Sequence, residues 1–248
     1  MLTVEDIKAN LKTSSYDFLR DNPMLGNNIL LLTVGGSYSY GTAIEASDVD
    51  IRGIVKSPNK AKGANEFFSF VDRDTDTSVF SVDSAIKLLI DAYPSLIETL
   101  GVNPEHILFS TEAGKLLIEN RKLFLSKRVI RSFTYLSNSL LYKLNNDLAR
   151  PNKAAKYQMH ILRWYLTCID ILENGDIVTN RSADLDLLMP IRNGLYVDKD
   201  GKTDARFFDL AKTWEDKLYD ASLKTQLPDR PNMKAVNLFK SDIEQLIY

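Results

Sequence analysis

The sequence contains little of what several classes of protein require. It has one cysteine, Cys168, and two histidines in 248 residues. A lone cysteine excludes an internal disulfide, and these residues cannot supply a Cys and His cluster with zinc-ligand spacing. A reducing compartment is the simplest setting, and the predicted location is the cytoplasm.

Long apolar runs are also missing. The longest, Ile29 to Val34, is far shorter than the ~20 residues that cross a bilayer. Near the N-terminus, Glu5, Asp6 and Lys8 stand where a signal peptide would be apolar. The chain is 44% apolar with 11 Gly and 8 Pro, which excludes a disordered or fibrous protein. We therefore predict a soluble globular protein with no membrane partner.

The net charge of the chain is small, but the charged residues are distributed unevenly along it. The net charge is −2, yet residues 121–163 hold ten Lys or Arg against a single acid, Asp147. Such a segment suits an anionic partner, either a nucleotide or a nucleic acid. Solvated helix faces would produce the same composition, so both interpretations remain open.

The hydrophobic periodicity predicts strands in the first half and helices in the second. Residues 3–20 are predicted to form an amphipathic helix with Thr3 as its N-cap. Predicted strands cover Ile29–Val34, Asp48–Val55 and about Asp76–Val82. From about Gly114 onward, apolar residues recur at helical spacing. The predicted fold is α+β, with domains at 1–112 and 113–248.

The first predicted strand is followed by small residues that are typical of a phosphate site. Gly35 and Gly36 let the backbone approach a ligand closely, and exposed N–H groups entering a short helix bind anions. Ser37 adds a hydroxyl donor for a triphosphate. A nucleotide phosphate is therefore expected at this corner.

Two acids follow in the second predicted strand. Asp48 and Asp50 lie two residues apart, so their carboxylates point the same way, about 6 to 7 Å apart along the strand. Such a pair can converge on divalent metals, as two-metal phosphoryl or nucleotidyl transfer requires. Asp76 is the candidate third carboxylate, with Asp72 and Asp74 as competitors. Arg52, on the same face, could bind phosphate or neutralise the acids.

These residues carry a resemblance to a known superfamily. Gly36-Ser37, Tyr40-Gly41-Thr42 and Ser47-Asp48-x-Asp50-x-Arg52-Gly53 resemble the signature of the DNA polymerase β-like nucleotidyltransferases, especially their stand-alone bacterial and phage branch. The likeness continues more weakly through Pro94–Glu98, Lys156–His160, Arg192-Asn193-Gly194 and Leu227-Pro228. It implies a mixed-sheet catalytic domain followed by a helical domain.

The resemblance also implies roles for individual residues. Asp48, Asp50 and Asp76 would be catalytic and would hold two Mg²⁺ or Mn²⁺ ions. The residues expected to bind the nucleoside triphosphate are Gly36, Ser37, Tyr40, Thr42, Arg52, Lys153, Lys156 and His160. Lys153, Lys156, His160 and Arg163 share one helical stripe, which either faces the triphosphate or faces solvent.

The predicted activity is metal-dependent transfer of a nucleoside monophosphate from a nucleoside triphosphate to an acceptor hydroxyl, with release of pyrophosphate. The acceptor is open between RNA, a protein and a small molecule, and the oligomeric state is open too. Two alternatives lack catalysis: an antitoxin-like regulatory protein that keeps the fold as a binding surface, and a nucleic-acid-binding module that uses the basic segment.

Overall fold

The structure is a computed structural model, and it describes the backbone of residues 2–56, 67–72, 75–150 and 152–247. Within these ranges the chain forms an α+β fold, which confirms the predicted class. The strands are β1 Ile29–Gly35, β2 Asp50–Val55, β3 Phe67–Asp72, β4 Thr75–Ser81 and β5 Ile107–Ser110. The helices of the first half are α1 Val4–Asn10, α2 Asp17–Asp21, α3 Gly36–Tyr40, α4 Val82–Ile90 and α5 Pro94–Leu100.

The strands form one mixed sheet in the order β3-β4-β2-β1-β5. β1 pairs antiparallel with β2 and β5, and β4 pairs parallel with β2 and antiparallel with β3. β1 is buried from Leu30 onward, as expected for a near-continuous apolar strand at the centre of a sheet. β1 and β2 are interior strands of the sheet. Gly35, at the end of β1, pairs with Asp50, at the start of β2, and Asp50 also lies next to β4.

Two predicted strand boundaries in this half are wrong, and two strands are missing from the prediction. β2 begins at Asp50 instead of Asp48, because β1 ends at Gly35, the partner of Asp50, and turns into α3. β4 ends at Ser81, whose hydroxyl caps α4 by accepting from the Ser84 N–H. The strands β3 and β5 were not predicted, since β5 offers only a short apolar run at a sheet edge.

The predicted helix over residues 3–20 is also wrong, because it is broken into α1 and α2. Thr3 does cap α1, and the Asp6 carboxylate completes a capping box. After Asn10 the helix stops, and the Thr13 hydroxyl donates to the Asn10 carbonyl at 2.7 Å. Hydroxyl side chains at 13–15 compete with the helical backbone for hydrogen bonds, which explains the interruption.

The second half is helical, as predicted. Its helices are α6 Glu112–Glu119, α7 Arg128–Asn145, α8 Ala154–Asn174, α9 Leu185–Arg192, α10 Ala205–Lys224 and α11 Met233–Ile247. α8 lies at the centre, in contact with α7, α9 and α10. The largest apolar cluster runs from Leu30 to Ile247, so the core continues across residue 112. No helix of the described residues is both long and apolar enough to span a bilayer.

A buried ion pair joins the two halves. The Arg163 guanidinium in α8 donates to the Glu98 carboxylate in α5, and their side chains are 2% and 6% exposed. The Tyr40 hydroxyl of α3 donates to the other Glu98 oxygen at 3.1 Å, and its ring lies 3.7 Å from the Arg163 guanidinium carbon. Because charges at this depth require partners, the three side chains fix α3, α5 and α8 to one another.

The junction predicts a non-additive effect on stability. Glu98→Gln leaves Arg163 buried without its counter-charge and should lower the free energy of unfolding by roughly 3 to 5 kcal/mol. The apolar double replacement Glu98→Leu with Arg163→Met should recover most of that loss. Urea denaturation measures both, with Glu112→Gln, which removes the exposed partner of Lys115, as the control. A Glu98→Gln loss no larger than the control's would contradict the assignment.

Candidate active site

The corner between β1 and α3 allows close approach because it carries no side chains. Gly36 has φ +57°, and a Cβ there would lie 1.6 Å from Oδ2 of Asp50. A Cβ at Gly35 would lie 2.8 Å from Cγ of Arg52. Any larger residue would push these side chains away, so the two glycines admit the Asp50 carboxylate to the start of α3.

Asp50 and Asp76 lie side by side on parallel strands, in register. The Arg52 guanidinium bridges them: Nη2 lies 2.9 Å from Oδ1 of Asp50, and Nη1 lies 3.4 Å from Oδ1 of Asp76. Burial raises the pKa of Asp50, and the neighbouring Arg52 charge opposes this. Of the two roles open for Arg52, the structure places it on the acids.

A cavity of about 240 Å³ opens in front of these carboxylates. Its lining residues are Ser37, Ile44, Ala46, Ser47, Asp48, Asp50, Asp76, Asn152, Lys153, Ala155, Lys156 and Arg192. Asp48 is exposed in the loop before β2, and it still reaches the same cavity as Asp50. The fold therefore brings together six of the predicted site residues from two distant parts of the chain: Ser37, Asp48, Asp50, Asp76, Lys153 and Lys156.

Three predicted nucleotide-binding residues lie elsewhere. The Tyr40 hydroxyl is bonded to Glu98. Thr42 is buried, and its hydroxyl has no hydrogen-bond partner among the residues described. His160 lies against the rings of Tyr40 and Trp164, 6.3 and 5.7 Å between centroids. These positions agree better with support of the site than with contact to a ligand inside it.

The four residues of the predicted helical stripe, Lys153, Lys156, His160 and Arg163, lie in different environments. Lys153 and Lys156 reach the cavity, whereas Arg163 is 1% exposed and belongs to the junction with Glu98. Both interpretations of the stripe are therefore wrong for Arg163. Burial lowers the pKa of His160 well below its usual range, and the adjacent Arg163 charge adds to this effect. The imidazole is thus neutral at pH 7 and accepts from Nε of Arg163 at 3.4 Å.

Arg192 is a site residue to which the sequence assigned no role. It ends α9, and its Nη2 lies 3.5 Å from the Ser47 hydroxyl. Its Nε is buried with no hydrogen-bond partner in the part of the chain that the structure describes. Burial also lowers its pKa. The Arg192-Asn193-Gly194 likeness was the available signal, but only the fold brings Arg192 to the cavity that the acids line.

The three candidates for the third carboxylate differ in where they lie relative to the cavity. Asp76 lines the cavity, and 44% of its side chain is exposed. Asp72 lies at the end of β3, opposite Thr75 in the hairpin register. Asp74 lies outside the described residues. The placement therefore favours Asp76, whose role stays a prediction.

The residues present suit a divalent metal in their chemistry. Carboxylate oxygens are the ligands that Mg²⁺ and Mn²⁺ prefer, and Asp48, Asp50 and Asp76 line one cavity. As placed, no three His, Cys, Asp or Glu side chains of the described residues form a metal-binding group. Arg52 instead holds one oxygen of Asp50 and one of Asp76. The glycine corner beside Asp50 leaves the space that a carboxylate ligand needs.

A comparison with protein-family models shows the family to which the chain belongs. Residues 6–242 match the RlaP family, described as the RNA repair pathway DNA polymerase beta family. The chain therefore belongs to this family, whose membership supports nucleotidyltransferase activity in general terms. A search of curated proteins gave no match.

One solved structure is also similar in part. It is the crystal structure of a nucleotidyltransferase-like protein from Exiguobacterium sibiricum 255-15, with 9% identity and a TM-score of 0.34. The match covers 97% of this chain and 74% of that one.

The glycine corner predicts a pairwise effect. Gly36→Ala should lower the free energy of unfolding by about 2 kcal/mol more than Gly201→Ala, because the new methyl group collides with Asp50. Gly201 is a matched control: its φ is +80°, so backbone strain is similar, but no atom lies within 4 Å of a Cβ. In an Asp50→Ala background most of the excess should vanish, as urea denaturation will measure. An equal loss with and without the Asp50 carboxylate would contradict the contact.

Proposed function

We propose that this protein transfers a nucleoside monophosphate from a nucleoside triphosphate to an acceptor hydroxyl and releases pyrophosphate, using two Mg²⁺ or Mn²⁺ ions. The observation that carries the proposal is the composition of one cavity. Asp48, Asp50 and Asp76 supply its acids, and Lys153, Lys156 and Arg192 supply its cations. A metal-bound triphosphate needs both kinds of group, carboxylates for the metals and cations for the phosphates.

Asp48, Asp50 and Asp76 are the residues that would hold the ions. When bound, such ions lower the pKa of the attacking hydroxyl and neutralise charge on the phosphates and leaving group. Arg52 keeps Asp50 and Asp76 together in the metal-free protein, because two close carboxylates otherwise repel each other.

The protein side chains supply binding and proton transfer. Ser37, Lys153, Lys156 and Arg192 bind the triphosphate oxygens. The acceptor oxygen attacks the α-phosphorus and forms a new P–O bond, while the bond from that phosphorus to the β-phosphate oxygen breaks and pyrophosphate leaves. Asp76 accepts the acceptor's proton, since its carboxylate lines the cavity and is partly exposed.

RNA is the acceptor class that the family description favours, because that description places the family in RNA repair. A protein or small-molecule acceptor has no comparable support. The lone, buried Cys168 leaves the cytoplasm as the expected location.

The metal-binding role predicts complete dependence on two acids. Asp50→Asn and Asp48→Asn should each lower the transfer rate at least ~100-fold, with little change in the thermal midpoint, because each removes a ligand charge but keeps the shape. Transfer is measured with α-labelled nucleoside triphosphates, Mg²⁺ or Mn²⁺, and single-stranded RNA. Label at the γ-phosphate should leave as pyrophosphate. Asp209→Asn, an exposed acid on α10, is the control. Transfer retained by Asp50→Asn would refute the proposal.

The third carboxylate is tested by a second pair of variants. Asp76→Asn should abolish transfer. The loss in transfer rate should exceed any loss in triphosphate affinity, because the residue also takes a proton. Asp72→Asn should retain activity, since Asp72 lies on β3, which is separated by β4 from the strand β2 that carries Asp50. The reverse pattern would transfer the role to Asp72.

A further inference from the structure

The basic segment 121–163 separates into two groups in the structure. Five of its ten cations are neutralised in ion pairs: Arg121 and Lys122 with Asp176, Lys127 with Asp229, Arg128 with Asp91, and Arg163 with Glu98. The others make no ion pair with any described carboxylate, and they all lie between residues 131 and 156: Arg131, Lys143, Arg150, Lys153 and Lys156. The only acid of the segment, Asp147, is held by Lys202 at 2.7 Å.

Two exposed aromatic rings lie among these free cations. On α7, Tyr135 is 72% exposed and Tyr142 is 64% exposed. With Arg131, Asn138 and Asn145 they recur at spacings of four and three residues, which confines all five to one stripe. The opposite face of α7 is buried in the core. The stripe therefore presents aromatic faces, amides and one cation to solvent, with no acid.

Two further cavities are lined by residues that lie in the chain between the stripe and the candidate active site. A cavity of about 330 Å³ is lined by Tyr142 and Asn145, and the buried Tyr165 hydroxyl there has no hydrogen-bond partner among the described residues. A second cavity, of about 370 Å³, is lined by Arg150 and Asn152. Asn152 also lines the candidate active site. Residues from 141–150 and 152–156 thus line all three cavities.

We propose that this surface, from Arg131 on α7 to Asn152 at the candidate active site, binds a single-stranded nucleic acid acceptor. Its bases stack on Tyr135 and Tyr142, and its phosphates contact Arg131, Lys143 and Arg150. The strand leads its terminal hydroxyl to the cavity of Asp50 and Asp76. The inference rests on the proposed function for the identity of the strand as acceptor, whereas binding of the strand to this surface does not depend on that function.

A single strand fits this surface better than a duplex or an acidic protein. Tyrosine rings can stack only on bases whose faces are free, and a duplex keeps its bases stacked on one another. An acidic peptide would use the cations but would give the two exposed rings no stacking partner. The combination of free cations and free aromatic faces is what a single strand uses.

Binding of a fluorescein-labelled, mixed-sequence single-stranded RNA, followed by fluorescence anisotropy without any triphosphate, tests the proposal. Tyr135→Ala and Tyr142→Ala should each weaken the affinity at least about fivefold, the effect of losing one stacked base. Tyr219→Ala is the matched control, because Tyr219 is 63% exposed and lies on α10. It should leave the affinity unchanged.

The phosphate contacts have their own readout. Log affinity falls as log salt concentration rises, and replacing Arg131, Lys143 and Arg150 together by Gln should make this negative slope shallower by about 2, which corresponds to three lost contacts to a single strand. Lys234→Gln, at an exposed position on α11, should leave the slope unchanged. Circular dichroism verifies that every variant keeps the wild-type fold.

The outcomes separate this inference from the proposed function. If the wild-type protein does not bind the strand, or binds it equally well without the two tyrosines, the inference is wrong, even if transfer to another acceptor occurs. If binding depends on the tyrosines but no α-label is ever transferred, the surface is supported and the proposed function fails. Loss of both binding and RNA labelling in the tyrosine variants, with unchanged triphosphate binding, supports the two together.

Discussion

The absence of a side chain at Gly36 is the constraint on which the candidate active site depends. A Cβ there would occupy the position of the Asp50 carboxylate, at 1.6 Å from Oδ2. With glycine, Asp50 can stand beside Asp76 at the end of two parallel strands while α3 begins next to them. The same corner brings Ser37 to the cavity. Asp50, Asp76, the start of α3 and the Ser37 hydroxyl can thus lie close together because residue 36 has no side chain.

A second constraint places the cations opposite these acids. Arg163, Glu98 and Tyr40 join α8 and α5 to α3. The Arg163–Glu98 ion pair is deeply buried, so separating its two charges would cost a large amount of free energy. Because α8 is fixed in this way, Lys153 and Lys156 at its beginning line the same cavity as Asp50. A residue that the sequence pointed to as a nucleotide contact, Tyr40, therefore acts in the structure as part of the support for the site.

The sequence allowed much of the fold, and six of the residues that line the cavity, to be predicted, because local signals were strong there. The buried strand β1, the glycines after it and the spaced acids each follow from short-range patterns. What could not be predicted depends on distant partners. Arg163 shares a helical stripe with Lys156, and only the position of Glu98, far away in the chain, decides that it turns inward. Arg192 is a similar case, since α9 approaches Ser47 only in the folded protein. The short strand β5 forms because β1 offers it an edge.

The central claim is that a metal-bound triphosphate occupies the cavity between the carboxylates and the cations. Its most direct test is a crystal structure with Mn²⁺ and a triphosphate analogue that cannot be cleaved at the α-phosphate. The account predicts anomalous Mn²⁺ signal against Asp50 and its neighbouring acids, with the phosphates toward Lys153, Lys156 and Arg192. A triphosphate bound at another surface, with Arg52 still joined to Asp50 and Asp76 and no Mn²⁺ beside them, would contradict it.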